Sequence, residues 1–356
     1  MSRRPLQLAT DGWSVEIIDQ TRLPHELVVQ RLGTLDAVVE AIGTMQVRGA
    51  PLIGITAGYG LCLALMTDDS DAGLADAVQA LLATRPTAVN LAHVVGRVRD
   101  AALAEIPGRR TAAAYRAVAA LAELEVSACR AIGDHGLPLL EAIARRRPGP
   151  VRVLTHCNAG WLATLEHGTA LAPVYRAHED GVPVEVWVDE TRPRSQGWLT
   201  AWELGGAGIP HTVVADGMAA HLLQREQVDL VLVGTDRTTR AGDVCNKIGT
   251  YGVALAAAAA KVPFYAAVPS TSIDWALTDW KTIPIEERSA DEVRLVRGRD
   301  QEGHLRTVRP GPEDSQVRNA AFDVTPARLV TGLITERGVC RATRRGLLDL
   351  FPEQKQ

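Results

Sequence analysis

The sequence predicts an α/β protein in which a mainly helical N-terminal domain precedes a C-terminal domain built on a parallel sheet. Apolar residues recur at helical spacing up to about residue 145, and short β-branched runs alternate with helical segments after residue 150. A length of 356 residues suits two domains. A basic, proline-rich stretch at 146–150 separates the two patterns, so we place the domains at residues 1–147 and 148–356.

In the N-terminal domain, two segments carry the helical pattern most clearly. Residues 71–84 and 111–132 place apolar side chains at intervals of three and four, with charged residues on the other face of the second. Gly133 and Gly136 predict a break after the second segment, and residues 137–147 predict another short helix.

In the C-terminal domain, short apolar runs predict strands, and a polar cluster follows each of them. The runs cover residues 151–154, 184–188, 230–233 and 264–268, with helical segments at 218–224 and 252–260. Ligands of open α/β sheets bind outside the carboxyl ends of the strands. The polar clusters therefore predict one site assembled from several loops.

Composition and charge argue against several classes of protein. The formal net charge is -4 and no long run of one sign exists, which is unlike a nucleic-acid-binding surface. We find no apolar window of about 18 residues for a membrane helix and no signal-peptide pattern at the start. The five cysteines form no CxxC pair, so we expect neither disulfides nor zinc, and a reducing cytoplasm. The expected partners are small molecules and a second copy of the chain.

Cys157 is the first candidate for chemistry. It follows the first predicted strand and precedes small residues that suit a tight turn into a helix. Backbone N–H groups at a helix N-terminus favour a thiolate, which would suit a base, a nucleophile or a stabiliser of the transition state. The alternative is a buried structural cysteine, the commonest fate of a free thiol.

Asp236 is the second candidate, because it follows the third predicted strand among apolar neighbours. Partial loss of water would raise the pKa of its carboxyl group and suit proton transfer near neutral pH. The alternative is a structural carboxylate that pairs with Arg237 or caps the next helix.

Arg48-Gly49-Ala50-Pro51 is a turn that feeds a helical segment of small residues. A guanidinium and backbone N–H groups at such a place could capture a phosphate. The alternative is an ordinary helix start with a solvated arginine.

Further polar residues could contact a substrate. Asn246 and Lys247 lie in a predicted polar turn entering a helix and could hold sugar hydroxyls or phosphate, and Arg85 and Gln196 are additional candidates. The glycines form neither a Walker loop nor a dinucleotide fingerprint. No cluster of histidines and carboxylates has metal-ligand spacing. We therefore expect no metal and no nicotinamide cofactor.

Together these segments resemble the methylthioribose-1-phosphate isomerase family, in order and over nearly the whole chain. The matching segments are RGAPLIG (48–54), RPTAVNL (85–91), LTHCNAG (154–160), VWVDETRP (186–193), LTAWEL (199–204), NKIGTY (246–251), IPIEER (283–288) and FDVTPARLVTGLITERG (322–338).

The resemblance implies a fold shared with the regulatory subunits of the translation factor that exchanges guanine nucleotide on initiation factor two. That fold has a helical N-terminal domain and a Rossmann-like catalytic C-terminal domain, usually in a homodimer. The resemblance implies catalytic roles for Cys157 and Asp236. It implies substrate contacts for Arg48, Gly49, Ala50, Arg85, Gln196, Asn246 and Lys247.

The implied activity converts 5-methylthioribose 1-phosphate into 5-methylthioribulose 1-phosphate, a step of methionine salvage. Asp236 would protonate the ring oxygen, and Cys157 would either take the C2 proton or stabilise charge during a hydride shift. Arg48 and Lys247 would hold the phosphate. Apolar walls with Trp161 or Trp198 would cover the reacting carbons and the 5-substituent.

Three alternatives remain open. Departures from the family pattern at Trp161 and Trp198 allow another 5-substituted or a 5-deoxyribose 1-phosphate as the substrate. The fold also permits a non-catalytic, ligand-sensing subunit, although Cys157 and Asp236 are both retained. A cysteine hydrolase would need a base beside Cys157, and the adjacent His156 would point away at a strand end.

Overall fold

The chain begins with a three-stranded antiparallel sheet that the sequence did not predict. In the computed structural model, which describes residues 4–85 and 89–355, this sheet contains β1 (Leu6–Leu8), β2 (Val15–Ile18) and β3 (Val29–Leu32) in that order. Strands of three or four residues carry only one or two alternating apolar positions, too few to reveal a period of two.

Five helices follow within the described residues 35–85 and 89–144. They are α1 (Leu35–Gly43), α2 (Ala50–Thr67), α3 (Asp71–Thr84), α4 (Val89–Leu103) and α5 (Arg110–Ala144). The predicted helix at 71–84 is confirmed as α3, and Ser70 caps it by accepting a hydrogen bond from the Gly73 N–H.

The predicted break at Gly133 and Gly136 is wrong, because α5 runs through both glycines and through Pro138. These glycines allow the next helix, α6 (Ala172–Glu179), to approach closely. A Cβ at Gly136 would lie 2.4 Å from the Cγ of Pro173, and one at Gly133 would lie 3.1 Å from a backbone oxygen. The two glycines therefore serve packing between helices.

The expectation that no apolar window is long enough for a membrane helix is also wrong. By length and composition α2 qualifies, with 18 residues and a mean hydropathy of 1.6. It packs against α1, α3, α4 and α5, and 83% of this window is buried inside the protein. A helix that is apolar on all sides suits such a central position.

The C-terminal part contains a larger set of elements. After α5 the chain forms β4 (Val151–Thr155) and then α6. The elements that follow are β5 (Val184–Asp189), α7 (Gly197–Gly206), β6 (His211–Val214), α8 (Met218–Gln224), β7 (Leu230–Val233), β8 (Arg237–Thr239), β9 (Val244–Lys247), α9 (Thr250–Ala260), β10 (Phe264–Ala267), β11 (Ile273–Asp274), α10 (Asp291–Arg294), β12 (Val296–Arg299), β13 (Leu305–Val308), β14 (Phe322–Thr325), β15 (Gly332–Thr335), β16 (Gly338–Cys340) and α11 (Arg344–Leu350).

The predicted parallel sheet is confirmed. Its strand order is β16-β15-β10-β7-β4-β5-β6, and every neighbouring pair is parallel except β15 with β16. The four predicted strands are β10, β7, β4 and β5, which lie side by side at its centre. The flanking strands β6 and β15 were not predicted. Thus the α/β class, with a helical N-terminal part, agrees with the expectation.

A second sheet, in the order β11-β8-β9-β14, follows the carboxyl end of β7. It places Asn246 and Lys247 on strand β9, paired with Asp323 and Phe322 of β14. The predicted polar turn at Asn246 and Lys247 is therefore wrong, and the turn into α9 begins after them. A separate antiparallel hairpin joins β12 to β13.

Helix α5 connects the two parts of the molecule. Its first half contributes Ala114 and Val118 to the core of the N-terminal helices. Its second half contributes Ile132 and Leu140 to a core under the parallel sheet. The chain leaves α5 at Ala144 and enters β4 at Val151, and the division at 147/148 stays a prediction.

Candidate active site

The carboxyl ends of β4 and β7 open into a cavity that the amino end of α2 also borders. The cavity has a volume of about 1040 Å³, counting its open mouth. All nine predicted site residues line it: Cys157, Asp236, Arg48, Gly49, Ala50, Arg85, Gln196, Asn246 and Lys247. The structure therefore brings together side chains that lie up to about 200 positions apart in the sequence.

Cys157 follows β4 in a left-handed backbone conformation, with φ of 71°. This conformation costs a non-glycine residue about 1–2 kcal/mol, so surrounding contacts must hold it. The Cys157 N–H donates to the Thr191 Oγ1 at 2.8 Å, and the Thr200 hydroxyl donates to the Cys157 carbonyl at 2.9 Å. These two threonines lie near β5 and in α7, so neighbouring elements fix the position of the thiol.

The expectation that a helix N-terminus favours the Cys157 thiolate is wrong. The residues after Cys157 form an extended loop and then a single 3-10 turn, Trp161–Ala163. Burial raises the pKa of the Cys157 thiol, and the nearby Lys247 and Arg48 oppose that rise only in part. The thiol is therefore mainly protonated at neutral pH.

Asp236 lies directly between β7 and β8, and its N–H donates to the Cys245 carbonyl at 2.9 Å. The helix-capping alternative for this carboxylate is wrong, because strand β8 and not a helix follows Asp236. Arg237 forms an ion pair with Asp274 at 3.6 Å. Burial raises the pKa of Asp236, and the cations Lys247, Arg85 and Arg48 oppose the rise.

Cationic side chains surround these two residues. Arg48 is buried, and its Nη1 donates to the Asn158 carbonyl at 3.1 Å. The Lys247 ammonium is also buried and lies 4.5 Å from the ring centroid of Phe322. Arg85 Nη2 lies 2.9 Å from Glu286 Oε2, while Pro86 and Thr87, noted beside it in the sequence, lie outside the described residues.

The amino end of α2 faces the same cavity. Gly49 is its N-cap residue, with φ of 99° and no side-chain capping bond. A Cβ there would lie 2.3 Å from the Ala163 carbonyl oxygen, so only glycine fits. Gly49 and Ala50 line the cavity, so the positive end of the α2 dipole lies at its edge, where it favours an anion.

Several buried polar atoms of the cavity residues have no hydrogen-bond partner within the described parts of the chain. They are Arg48 Nε, Arg85 Nε, Gln196 Oε1 and Arg288 Nη1. An unpaired buried polar atom costs about 1–3 kcal/mol, and native proteins have few of them. Three of these four atoms are guanidinium donors, which suits a ligand with negatively charged oxygens, and the fourth is an acceptor, which suits a hydroxyl group of the same ligand.

Reasoning from the sequence missed two functional residues, Arg288 and Glu203. Arg288 ends the quoted segment 283–288, and Glu203 lies within the quoted segment 199–204. Arg288 lines the cavity. Glu203 is buried in α7 and holds the loop after Cys157 from behind, accepting hydrogen bonds from Asn158 Nδ2 at 2.7 Å and from the Trp161 N–H at 2.8 Å. The available signal for Glu203 was a glutamate among mainly apolar residues in the segment LTAWEL (199–204).

His156 is turned away from the cavity, as expected. Its Nδ1 lies 2.9 Å from Asp189 Oδ2 and its Nε2 donates to the Ile248 carbonyl at 2.8 Å. Burial lowers the pKa of His156, but the Asp189 carboxylate more than offsets this, so the net change is upward. Both ring nitrogens are occupied, so His156 is not available as a base for Cys157.

His156, Asp189 and Asp216 bring ligand-type atoms within 4.8 Å of one another. The two Asp216 oxygens, however, accept backbone N–H groups from Thr191 and Arg192. His156, Asp189 and Asp216 therefore form a structural hydrogen-bond cluster under the Cys157 loop.

The expectation that Trp161 or Trp198 covers the substrate is wrong. Trp161 packs against Trp202 with a centroid distance of 5.9 Å, beside a different surface cleft, and Trp198 is 46% exposed. Neither borders the cavity. Its apolar wall is formed by Met45, Ile53, Ala163, Ile283, Pro284 and Phe322.

Comparison with known proteins agrees with this site and fold. A model of the Initiation factor 2 subunit family matches residues 46–342. A curated relative from Rhodospirillum centenum, named methylthioribose-1-phosphate isomerase, is 55% identical over 357 residues, covering 99% of this chain and 95% of the relative. A protein of the same name from Methylorubrum populi is 57% identical over 347 residues, with 97% and 95% covered.

Two solved structures are similar along their whole length. The 5-methylthioribose 1-phosphate isomerase from Pyrococcus horikoshii OT3 has a TM-score of 0.83 and 38% identity, covering 98% of this chain and 96% of that one. The translation initiation factor eIF-2B subunit delta from A. fulgidus has a TM-score of 0.80 and 36% identity, covering 99% and 100%. This chain belongs to the initiation factor 2 subunit family and, by its full-length relatives, to the methylthioribose-1-phosphate isomerases within it.

Proposed function

We propose that this chain converts 5-methylthioribose 1-phosphate into 5-methylthioribulose 1-phosphate in methionine salvage. The observation that carries the proposal is that Cys157 and Asp236 line one cavity together with buried cations. The names of the full-length relatives support the same reaction. A purely ligand-sensing subunit would need the cations but neither the thiol nor the carboxyl group.

Asp236 acts as the acid that opens the ring. The anomeric oxygen of the substrate carries phosphate, so the furanose cannot open spontaneously as a free sugar does. Because burial raises the pKa of Asp236, a larger fraction of this carboxyl group is protonated near neutral pH than in water. It donates its proton to the ring oxygen as the bond from that oxygen to C1 breaks.

Cys157 stabilises a hydride shift rather than removing the C2 proton. Its pKa is raised by burial, and a bound phosphate would add negative charge that further disfavours the thiolate. The hydride moves with its electron pair from C2 to C1, and the C2 hydroxyl loses its proton to become the ketone. That proton balances the one given to the ring oxygen, so the reaction needs no external oxidant or reductant.

The isotope label at C2 tests this step. With deuterium at C2 of the substrate, we expect the label at C1 of the product, retained in water. Complete loss of the label to solvent would contradict the hydride shift and would return Cys157 to the role of a base.

The polar and the apolar residues that line the cavity bind different parts of the substrate. Arg48, Lys247 and the amino end of α2 bind the phosphate, and Gln196 and Asn246 contact the sugar hydroxyls. The wall formed by Met45, Ile53, Ala163, Ile283, Pro284 and Phe322 accepts the methylthio group and excludes water from the reacting carbons.

A panel of pentose 1-phosphates tests the proposed substrate. We expect the highest kcat/KM for 5-methylthioribose 1-phosphate, a lower value for the 5-deoxy compound and the lowest for ribose 1-phosphate, because a hydroxyl at C5 would lose hydrogen bonds to water. Preference for the 5-deoxy compound would contradict the methylthio assignment. No turnover of any of the three would favour a ligand-sensing subunit.

We further propose that the protein works as a homodimer in the cytoplasm. The family resemblance supports the dimer, and five unpaired cysteines suit a reducing compartment. Light scattering during size-exclusion chromatography should give twice the mass of 38.2 kDa, and a monomeric mass would contradict it.

A further inference from the structure

The segment between β11 and β14 lies over the cavity and brings an additional cation to it. Ile283 and Pro284 form part of the apolar wall, and Arg288 borders the cavity a few residues later. The Arg288 side chain is only 9% exposed. It is therefore a largely buried charge on a segment that consists mainly of loops and a hairpin.

The guanidinium of Arg288 is fixed at one side and unpaired at the other. Its Nη2 lies 2.6 Å from Glu292 Oε1, and its Nε lies 3.9 Å from Glu286 Oε1. Its Nη1 is buried and has no hydrogen-bond partner in residues 4–85 and 89–355. An arginine held by one carboxylate in this way presents a donor in a fixed direction.

The two carboxylates near Arg288 are shared with other cations. Glu286 also pairs with Arg85 at 2.9 Å, and Glu292 also pairs with Arg194 at 3.4 Å. Three arginines therefore share two carboxylates on this side of the cavity. Burial lowers the pKa of Lys247, and the nearby charges of Arg288 and Arg85 lower it further. Positive charge is thus in excess here, which favours a bound anion.

We propose that Arg288 is a phosphate-binding residue, whose Nη1 donates to a phosphate oxygen of the sugar phosphate beside Lys247 and Arg85. The proposal rests on the proposed function for the sugar part of the ligand. Phosphate is the matching anion because its charged oxygens accept strong hydrogen bonds from a guanidinium N–H, and Nη1 is the nitrogen left without a partner. The segment from 283 to 288 then supplies both a wall for the 5-substituent and a contact to the phosphate.

Binding of two probes to the full-length protein tests this assignment. Inorganic phosphate and unphosphorylated 5-methylthioribose would be titrated calorimetrically into wild type, Arg288→Gln, Arg288→Lys and a control, Arg318→Gln. Arg318 is on the same segment, but 89% exposed and paired with Glu287. Arg288→Gln should weaken phosphate binding about 10- to 100-fold, as for one hydrogen bond to a charged group, and should leave the sugar affinity unchanged. The phosphate affinity of Arg288→Lys should lie between those of Arg288→Gln and wild type. The phosphate affinity of Arg318→Gln should match that of wild type.

A second variant separates this role from a structural one. Glu292→Gln removes the charge of the ion pair but keeps an amide oxygen that can accept from Arg288 Nη2. It should therefore lower the melting temperature while retaining most of the phosphate affinity. Wild-type phosphate affinity in Arg288→Gln would overturn the proposal. So would equal losses for phosphate and sugar, or equal phosphate losses in Arg288→Gln and Glu292→Gln. Because no turnover is needed, failure of the isomerase assay alone would leave the phosphate result standing.

Discussion

At the scale of single residues, burial away from water determines the direction in which the pKa values of the two reactive side chains change. Burial raises the pKa of both Cys157 and Asp236, although Lys247 and Arg48 lie near both of them and act in the opposite direction. Both groups are therefore biased toward their protonated forms. This bias suits an acid that opens a ring and a thiol that need not ionise.

Asp236→Asn should lower kcat by about 10²- to 10⁴-fold, the usual contribution of a proton-transfer group. Cys157→Ala should lower kcat by about 10²- to 10³-fold, as for the loss of one group that stabilises the transition state. Substrate affinity should stay near wild type, because the phosphate-binding cations are untouched. Single-turnover kinetics and calorimetry would measure the two effects. Cys340→Ala, in β16 and outside the cavity, is the matched control. A near-normal rate in either variant would remove that residue from the mechanism.

The pH profile of kcat should report Asp236. The acid acts only when protonated, and its raised pKa keeps it protonated to a higher pH than an ordinary aspartate. As pH rises through this pKa, kcat should fall. Asp236→Glu should keep a falling alkaline limb, and the residual activity of Asp236→Asn should lose it. If kcat of Asp236→Asn still fell at alkaline pH as in wild type, a group other than Asp236 would be responsible for that fall.

At the scale of elements, the close contact between α5 and α6 supports the parallel sheet from one face. Ile132 and Leu140 of α5 pack with Val174 and Ala177 of α6 in the core below the sheet. Gly136 allows this approach because it has no Cβ to meet Pro173. Helix propensity alone disfavours glycine there, so packing outweighs it.

Two Gly→Ala substitutions in helices should therefore change stability in opposite directions. Gly136→Ala would place a Cβ 2.4 Å from Pro173 Cγ and should cost about 1–3 kcal/mol of unfolding free energy by overpacking. Gly96→Ala, inside α4 with nothing within 4 Å of the new Cβ, should add about 0.5–1 kcal/mol. Urea unfolding would measure both. Stabilisation by Gly136→Ala would show that the contact between α5 and α6 is loose.

At the scale of the whole molecule, α5 also carries a buried carboxylate that contacts the sheet-containing part. Glu125 is 6% exposed, and its Oε2 accepts a hydrogen bond from the Thr271 hydroxyl at 3.3 Å. Thr271 follows β10, next to Pro269 at the edge of the cavity. Glu125 therefore joins the helical part to the loop that borders the site.

Glu125 should make the stability of the protein depend on pH. Burial raises its pKa from 4.5 to about 7. The folded state therefore binds the proton more tightly than the unfolded state does. Its contribution is fully present below pH 4.5 and is lost as pH rises through about 7, amounting to about 3 kcal/mol. In Glu125→Gln, the unfolding free energy should depend less on pH over this range than it does in wild type.

Chemical unfolding of wild type, Glu125→Gln and Glu141→Gln at several pH values would measure this contribution. Glu141 is on the same helix but forms a largely exposed pair with Arg145, so its variant should keep the wild-type slope. An unchanged slope in Glu125→Gln would show that the carboxylate is not the titrating group.

The sequence by itself determined the α/β class, the four central strands and the places where site residues follow them. These features depend on local apolar runs and on the rule that such sheets bind ligands at their carboxyl ends. The family resemblance added the functional roles of the nine site residues, which stay predictions. The structure places all nine around one cavity.

Only the tertiary structure decided which other side chains reach the site. Arg288 enters the cavity from a distant segment, whereas Trp161 turns toward Trp202 and Trp198 toward solvent. The continuity of α5 through Gly133 and Gly136, and the change of Asn246 and Lys247 from a turn to a strand, likewise depend on partners far away in the chain. Periodicity reports which face of a segment is apolar, but contacts between distant segments determine what that face meets.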